Sequence, residues 1–165
     1  MADAIGKTPF ERLIELLSRH KVELIVIGGR AETLLGSARV TFDVDLCYRR
    51  TSDNLRRLAD VLNQLNPTLR GAPPDLRFRL DAESLGLGCN FTFSTSMGDL
   101  DLLGHVEPIG GYDELAARAE VMRVGEVDLK VASLDDLIRI KEHLGRPKDR
   151  EALMHLLAIK RVRGI

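Results

Sequence analysis

Ile25-Val26-Ile27-Gly28-Gly29, followed downstream by Arg39-Val40-Thr41-Phe42-Asp43-Val44-Asp45-Leu46, is the stretch on which the reading of this chain turns. Val22 to Ile27 is an apolar run broken only by Glu23 and stopped by two glycines, which reads as a short buried strand. Ala31 to Leu35 then reads as a short helix ended near Gly36. Glycine lets the backbone approach a neighbour closely, and a helix start offers free N–H groups and partial positive charge. Gly28 and Gly29 are therefore a candidate phosphate seat. Phe42 to Tyr48 alternates as a strand does, with Phe42, Val44 and Leu46 on one face and Asp43, Asp45 and Cys47 on the other. Two carboxylates that share a face a few ångströms apart repel each other unless a cation sits between them. Hard oxygen ligands of this kind suit Mg²⁺ or Mn²⁺.

Further along, Gly98-Asp99-Leu100-Asp101-Leu102-Leu103 repeats the alternation, with Asp99 and Asp101 on one strand face. If this strand lies beside Phe42–Tyr48, its acids join the first pair. Three carboxylates then suffice for a site with two metal ions, which in such sites stand about 3.5–4 Å apart.

Around these segments the periodicity predicts a helix over residues 9–20, with Thr8 and Pro9 at its start, and another over 54–65, opened by Ser52 and Asp53 and ended by Pro67. Residues 66–75 read as a loop, Leu76–Leu80 as a short edge strand, and 81–87 as ambiguous. Asn90–Thr95 and Gly98–Leu103 read as strands joined by a tight turn. Tyr112–Ala119 reads as a helix. Val121–Val124 and Val127–Val131 read as a hairpin about Gly125-Glu126. Ser133 caps a helix to about Leu144, with Asp136 in place of the Glu of a capping box, and a last helix runs from about Lys148 to Lys160. The order is α/β (α+β) with a mixed sheet.

The pattern of an apolar strand, Gly28-Gly29, 13 intervening residues, Asp43-Val44-Asp45 and a later acid between leucines resembles the nucleotidyltransferase superfamily of the polymerase-beta type. The fuller pattern adds Arg39 and Thr41, Leu137-Ile138-x-x-Lys141 and Arg146-Pro147-Lys148-Asp149-Arg150. It resembles the minimal bacterial branch that holds the AbiEii-type toxins of toxin–antitoxin pairs, over roughly residues 22–157. The resemblance implies one nucleotidyltransferase-like domain over 1–165: a mixed-sheet core at about 22–131, flanked by helices, and a C-terminal helical part at about 133–161. It implies that Gly28 and Gly29 seat a triphosphate, that Asp43 and Asp45 bind both metal ions, and that a third acid activates an acceptor hydroxyl. Asp101, flanked by Leu100 and Leu102, fits that third place better than Asp99. Lys141 and Lys148 would neutralise phosphate charge, and Arg39 is a further candidate contact. Gly29 departs from the many members that carry Ser there: it keeps the N–H but lacks the hydroxyl.

The implied reaction moves a nucleoside monophosphate from a nucleoside triphosphate, ATP among them, to an acceptor hydroxyl on a tRNA, a protein or a small molecule. A toxin role would bring an antitoxin partner, and a homo-oligomer is an alternative assembly. Two other readings stay open: a nucleotide- or RNA-binding module without turnover, and a subunit that needs a partner chain to bind its acceptor. The composition restrains all of these. The 165 residues suffice for one core, and at 44% apolar and 30% charged they are those of an ordinary globular protein. A net charge of −1 supplies no global basic field for a polyanion. Cys47 and Cys89, without metal-site spacing, read as small core residues of a reducing compartment. With no signal peptide and no apolar run of membrane length in view, a cytoplasmic protein is expected.

Overall fold

The computed structural model describes residues 6–73 and 80–165. In chain order these form α1 (Pro9–Arg19), β1 (Leu24–Ile27), α2 (Gly28–Leu34), β2 (Val44–Tyr48), α3 (Ser52–Asn63), β3 (Thr68–Leu69), α4 (Ala82–Leu87), β4 (Asn90–Thr95), β5 (Gly98–Leu103), α5 (Tyr112–Ala116), β6 (Glu120–Val124), β7 (Val127–Val131), α6 (Leu134–Leu144) and α7 (Pro147–Arg163). The strands make one sheet in the order β3-β4-β5-β2-β1-β7-β6. β2 runs parallel to β5 and β1 parallel to β7, while the other neighbours are antiparallel. The mixed α/β class expected from the order of elements is the class observed.

The centre of the sheet is the driest part. All four residues of β1 are buried, as a strand covered on both faces requires. In β2 and β5 the alternation sorts by face: Val44, Leu46, Leu100 and Leu102 are buried, while Asp45, Asp99 and Asp101 are partly exposed. Phe10, Leu13, Ile14 and Leu17 of α1 and Leu55, Leu58, Val61 and Leu62 of α3 supply helical cover. Each such side chain contributes roughly 1.5–3 kcal/mol on full burial. Asn54 is fully buried and fully used. Its Oδ1 accepts from the Glu23 N–H at 2.7 Å, and its Nδ2 donates to the carbonyls of Glu23 at 3.0 Å and Arg49 at 2.7 Å, which ties α3 to the start of β1 and the end of β2.

Several boundaries differ from the sequence reading. α2 begins at Gly28 itself rather than at Ala31. β2 begins at Val44, because its partner β1 ends where Ile27 faces Asp45; Phe42 falls outside the strand and is 82% exposed rather than buried with Val44. The α3 cap is Thr51, whose Oγ1 accepts from the Asn54 N–H, not Ser52 or Asp53. The loop at 66–75 contains the two-residue β3, and the ambiguous 81–87 is α4, capped by Asp81. Of the expected strand Leu76–Leu80, all but the buried Leu80 lies outside the described residues. α5 stops at Ala116. Ser133 does cap α6, but Asp136 closes no capping box: it takes Arg118 Nε at 3.0 and 3.1 Å instead. Cys47 is buried as expected, whereas Cys89 is exposed.

Candidate active site

The acids meet because β2 and β5 are parallel neighbours in a particular register. Asp45 lies directly beside Asp101, and Thr92 of β4 lies beside Asp101 on its other side. Directly paired residues project to the same face, so the side chains of Asp45, Asp101 and Thr92 form a row across the sheet. Asp43 lies just ahead of β2 and is exposed.

On the other side of Asp45, β1 turns into α2 at Gly28, whose φ is 65°. A Cβ there would fall on the Asp45 carboxylate, with Cγ only 3.0 Å away. Glycine is thus required twice, once for the left-handed backbone and once for the close approach. A Cβ on Gly29 would stand 3.0 Å from the Thr41 side chain, so this glycine lets the loop before β2 lie against α2.

Burial pushes the proton affinity of Asp45 up, and the charge of Asp43 pushes it further, with Glu32 adding a smaller push; Lys141 and Arg70 pull the other way without cancelling it. Asp101 is bound by the Arg70 guanidinium, which also stands 3.8 Å from Asp99. Asp99 in addition accepts from Ser94 Oγ at 3.2 Å. Arg70 is absent from the sequence-based candidates. It sits in a stretch that reads as loop, and its neighbourhood is visible only once the strand order is known. Its backbone N–H donates to the Thr92 carbonyl at 3.1 Å, which extends the β3–β4 ladder by one residue and puts Arg70 at the end of the Thr92–Asp101–Asp45 row.

The basic candidates separate. Lys141 of α6 is largely buried, 3.4 Å from Glu32 Oε1 of α2 and 3.5 Å from Asp149 Oδ1 of α7. Glu32 Oε1 is buried and makes no hydrogen bond in spite of that ion pair. Asp149 is fully buried, accepting from the Arg146 backbone N–H at 3.2 Å and from Arg146 Nε at 2.6 Å. The Arg146 bond holds its carboxyl below the usual range, with Lys141 helping. Lys148, by contrast, is exposed in the first turn of α7. Gly145, at φ 62°, ends α6 between the two lysines, so they share no continuous helix face. Arg39 is partly exposed in the loop before β2, its carbonyl accepting from Thr33 Oγ1 at 3.1 Å.

A divalent cation suits the donor chemistry here: Asp45 and Asp101, register partners on adjacent strands, offer hard carboxylate oxygens on one face. As the side chains stand, no three His, Cys, Asp or Glu residues among the described residues are grouped closely enough to hold one metal ion. Arg70 is on Asp101 instead. Among the described residues no helix is long and apolar enough to cross a membrane.

The sequence matches no family model and no curated protein. Solved structures do match. A candidate nucleotidyltransferase (TM1012) from Thermotoga maritima shares 14% identity at a TM-score of 0.56, over 90% of each chain. The antibiotic-resistance factor ANT(2'')-Ia shares 12% at 0.60, over 91% of this chain and 81% of its own. The lincosamide antibiotic adenylyltransferase LnuA, in a lincomycin-bound structure, shares 13% at 0.59, over 92% and 96%. At these identities the likeness is one of architecture, and the conclusion it supports is that this chain has the nucleotidyltransferase fold.

Proposed function

We propose that this protein is a metal-dependent nucleotidyltransferase that transfers a nucleoside monophosphate from a nucleoside triphosphate to an acceptor hydroxyl. The observation that carries this reading is the side-by-side register of Asp45 and Asp101 across β2 and β5, with the Gly28 backbone held against Asp45. Asp43, Asp45 and Asp101 would hold Mg²⁺ or Mn²⁺, which supplies neutralisation of triphosphate charge and a more acidic acceptor hydroxyl.

The chain's own residues do the rest. Gly28 and Gly29, whose missing side chains make way for Asp45 and Thr41, would offer the N–H groups at the start of α2 to phosphate oxygens. Lys148 and Arg39, both with solvent access, would meet the outer phosphates. Lys141, between Glu32 and Asp149, acts on Asp45 through its field and holds α6 and α7 against α2. In the transfer the acceptor oxygen bonds to the α-phosphorus, the bond to pyrophosphate breaks, and Asp101 accepts the hydroxyl proton. Positioning and charge balance supply the rate, with no covalent enzyme intermediate.

A small hydroxylated molecule is the acceptor we favour. The net charge of −1 gives no broad attraction for RNA, and ANT(2'')-Ia has been seen with adenylyl-2''-tobramycin. A tRNA or protein acceptor, with a toxin role and an antitoxin partner, is the alternative that the Arg146–Arg150 pattern suggests. Arg146 and Asp149 are bound to each other, however, which favours a structural use of that pattern.

The test is calorimetric titration of ATP, CTP, GTP and UTP with Mg²⁺ and with chelator, on the wild type and on Asp45→Asn. Metal-dependent binding of at least one triphosphate, lost in the variant, is expected; labelled transfer to hydroxylated small molecules and to tRNA then identifies the acceptor. Binding that ignores chelator and variant alike, or no binding at all, would overturn the reading.

A further inference from the structure

We infer that Arg70 and a divalent cation compete for Asp101, so that Arg70 holds this acid in the cation-free protein and turns to the triphosphate when the cation arrives. The inference rests on the nucleotidyltransferase reading and adds to it a residue that no sequence motif marks.

The geometry begins at the backbone. Leu69 pairs with Phe93, and the next residue, Arg70, donates its N–H to the Thr92 carbonyl at 3.1 Å. Thr92 pairs with Asp101, and Asp101 with Asp45. Arg70 is therefore two strands from Asp101, roughly 10 Å at the usual strand spacing. The intervening Thr92 is short and exposed, and a long side chain on the same face passes over it. The guanidinium reaches Asp101 through Nη2, and Nη1 stands 3.8 Å from Asp99.

Two features mark this as more than a structural ion pair. First, a guanidinium has five N–H donors in a planar fork. In Arg70 the Nε is buried and has no hydrogen-bond partner, so Asp99 and Asp101 leave the group incompletely used. A triphosphate, with many acceptor oxygens, is the ligand whose chemistry completes it, and arginine binds such oxygens in bidentate fashion. Second, the carboxylate that Arg70 occupies is the register partner of Asp45, so the guanidinium holds one of the two acids that a cation between these strands would need. A guanidinium and a divalent cation on one carboxylate repel each other, so each weakens the hold of the other on Asp101.

The experiment measures Mn²⁺ binding to the full chain without nucleotide, by calorimetry and by the loss of the free Mn²⁺ spin-resonance signal, for the wild type and Arg70→Ala. Arg70→Gln, which keeps a hydrogen bond without the charge, is measured alongside in case Arg70→Ala does not fold. Removing the competitor is expected to tighten Mn²⁺ binding about tenfold, the scale of one charge-assisted hydrogen bond. At saturating Mn²⁺, binding of inorganic tripolyphosphate, which carries the phosphates without a base, is expected to weaken about tenfold in the same variants. A purely structural Arg70 would lower the melting temperature and leave or weaken Mn²⁺ affinity. That result, in variants of a protein whose wild type binds Mn²⁺ and triphosphate, would overturn the inference and leave the nucleotidyltransferase reading intact. A wild type that binds neither Mn²⁺ nor any triphosphate would overturn both.

Discussion

Two clusters of charge lie close together in this protein, and they are built on opposite principles. Across the central strands β2 and β5, Asp43, Asp45, Asp99 and Asp101 face one strongly engaged cation, Arg70, and the proton affinity of Asp45 is pushed up. At the junction of α2, α6 and α7, Glu32 and Asp149 meet Lys141 and Arg146, and the proton affinity of Asp149 is pulled down. Both set carboxylates against basic side chains, although the first is open to water and the second is built on the buried Glu32 and Asp149. The difference is balance. Buried charges that match each other lock helices together, whereas an unmatched carboxylate is strain kept for a ligand that brings positive charge.

The sharpest way to break this contrast is Asp45→Asn. Turnover is expected to fall by at least about 10³-fold, the scale for losing a group that acts on charge in the transition state, as read by labelled nucleotide transfer; activity within tenfold of the wild type would remove Asp45 from the chemistry.

Asp149→Ala should be the largest change in stability. It leaves Lys141 and Arg146 without their buried partner and is expected to cost about 3–5 kcal/mol in urea unfolding. Because Asp149 has a lowered folded pKa, its stabilisation is present above the ordinary carboxylate range and is lost as pH falls through that lowered value. The gap between wild type and Asp149→Ala should therefore narrow in acid.

Asp45→Asn should do the reverse to stability. A raised folded pKa means that ionised Asp45 works against the fold above that pKa, and that the penalty fades as pH falls to the ordinary carboxylate range. In chelator at neutral pH the variant is expected to melt about 2–4 °C higher, corresponding to about 1 kcal/mol, with the gain disappearing in acid. A variant that melts lower at neutral pH would show that Asp45 is balanced after all.

The smallest effect separates the two lysines. Lys148→Ala is expected to leave the melting temperature within about 1 °C while raising KM for the triphosphate about fivefold, as an exposed charge-assisted contact would. Lys141→Ala should instead lower the melting temperature, since it strips Glu32 and Asp149 of their shared cation.

Much of the arrangement is local and therefore readable in one dimension. The covalent geometry of a strand sends alternate side chains to opposite faces, so Val44 and Leu46 going inward and Asp45 outward follows from spacing alone, as does the pairing of Asp99 with Asp101. Helix starts are local too: Thr8 and Ser133 cap as their positions suggest. The break at Gly28 is legible because few residues other than glycine accept its left-handed backbone. Tertiary structure decided what spacing cannot. It placed β5 beside β2 in the register that joins Asp45 to Asp101, gave Arg70 an acid to hold, and put Lys141 into a buried pair rather than on an open face. It also stripped Phe42 of the strand partner that would have covered it. The physical reason is common to all four. Periodicity is imposed within a few residues by backbone geometry, whereas strand order, register and ion pairing between distant segments are settled by the burial and hydrogen bonding of the whole chain at once.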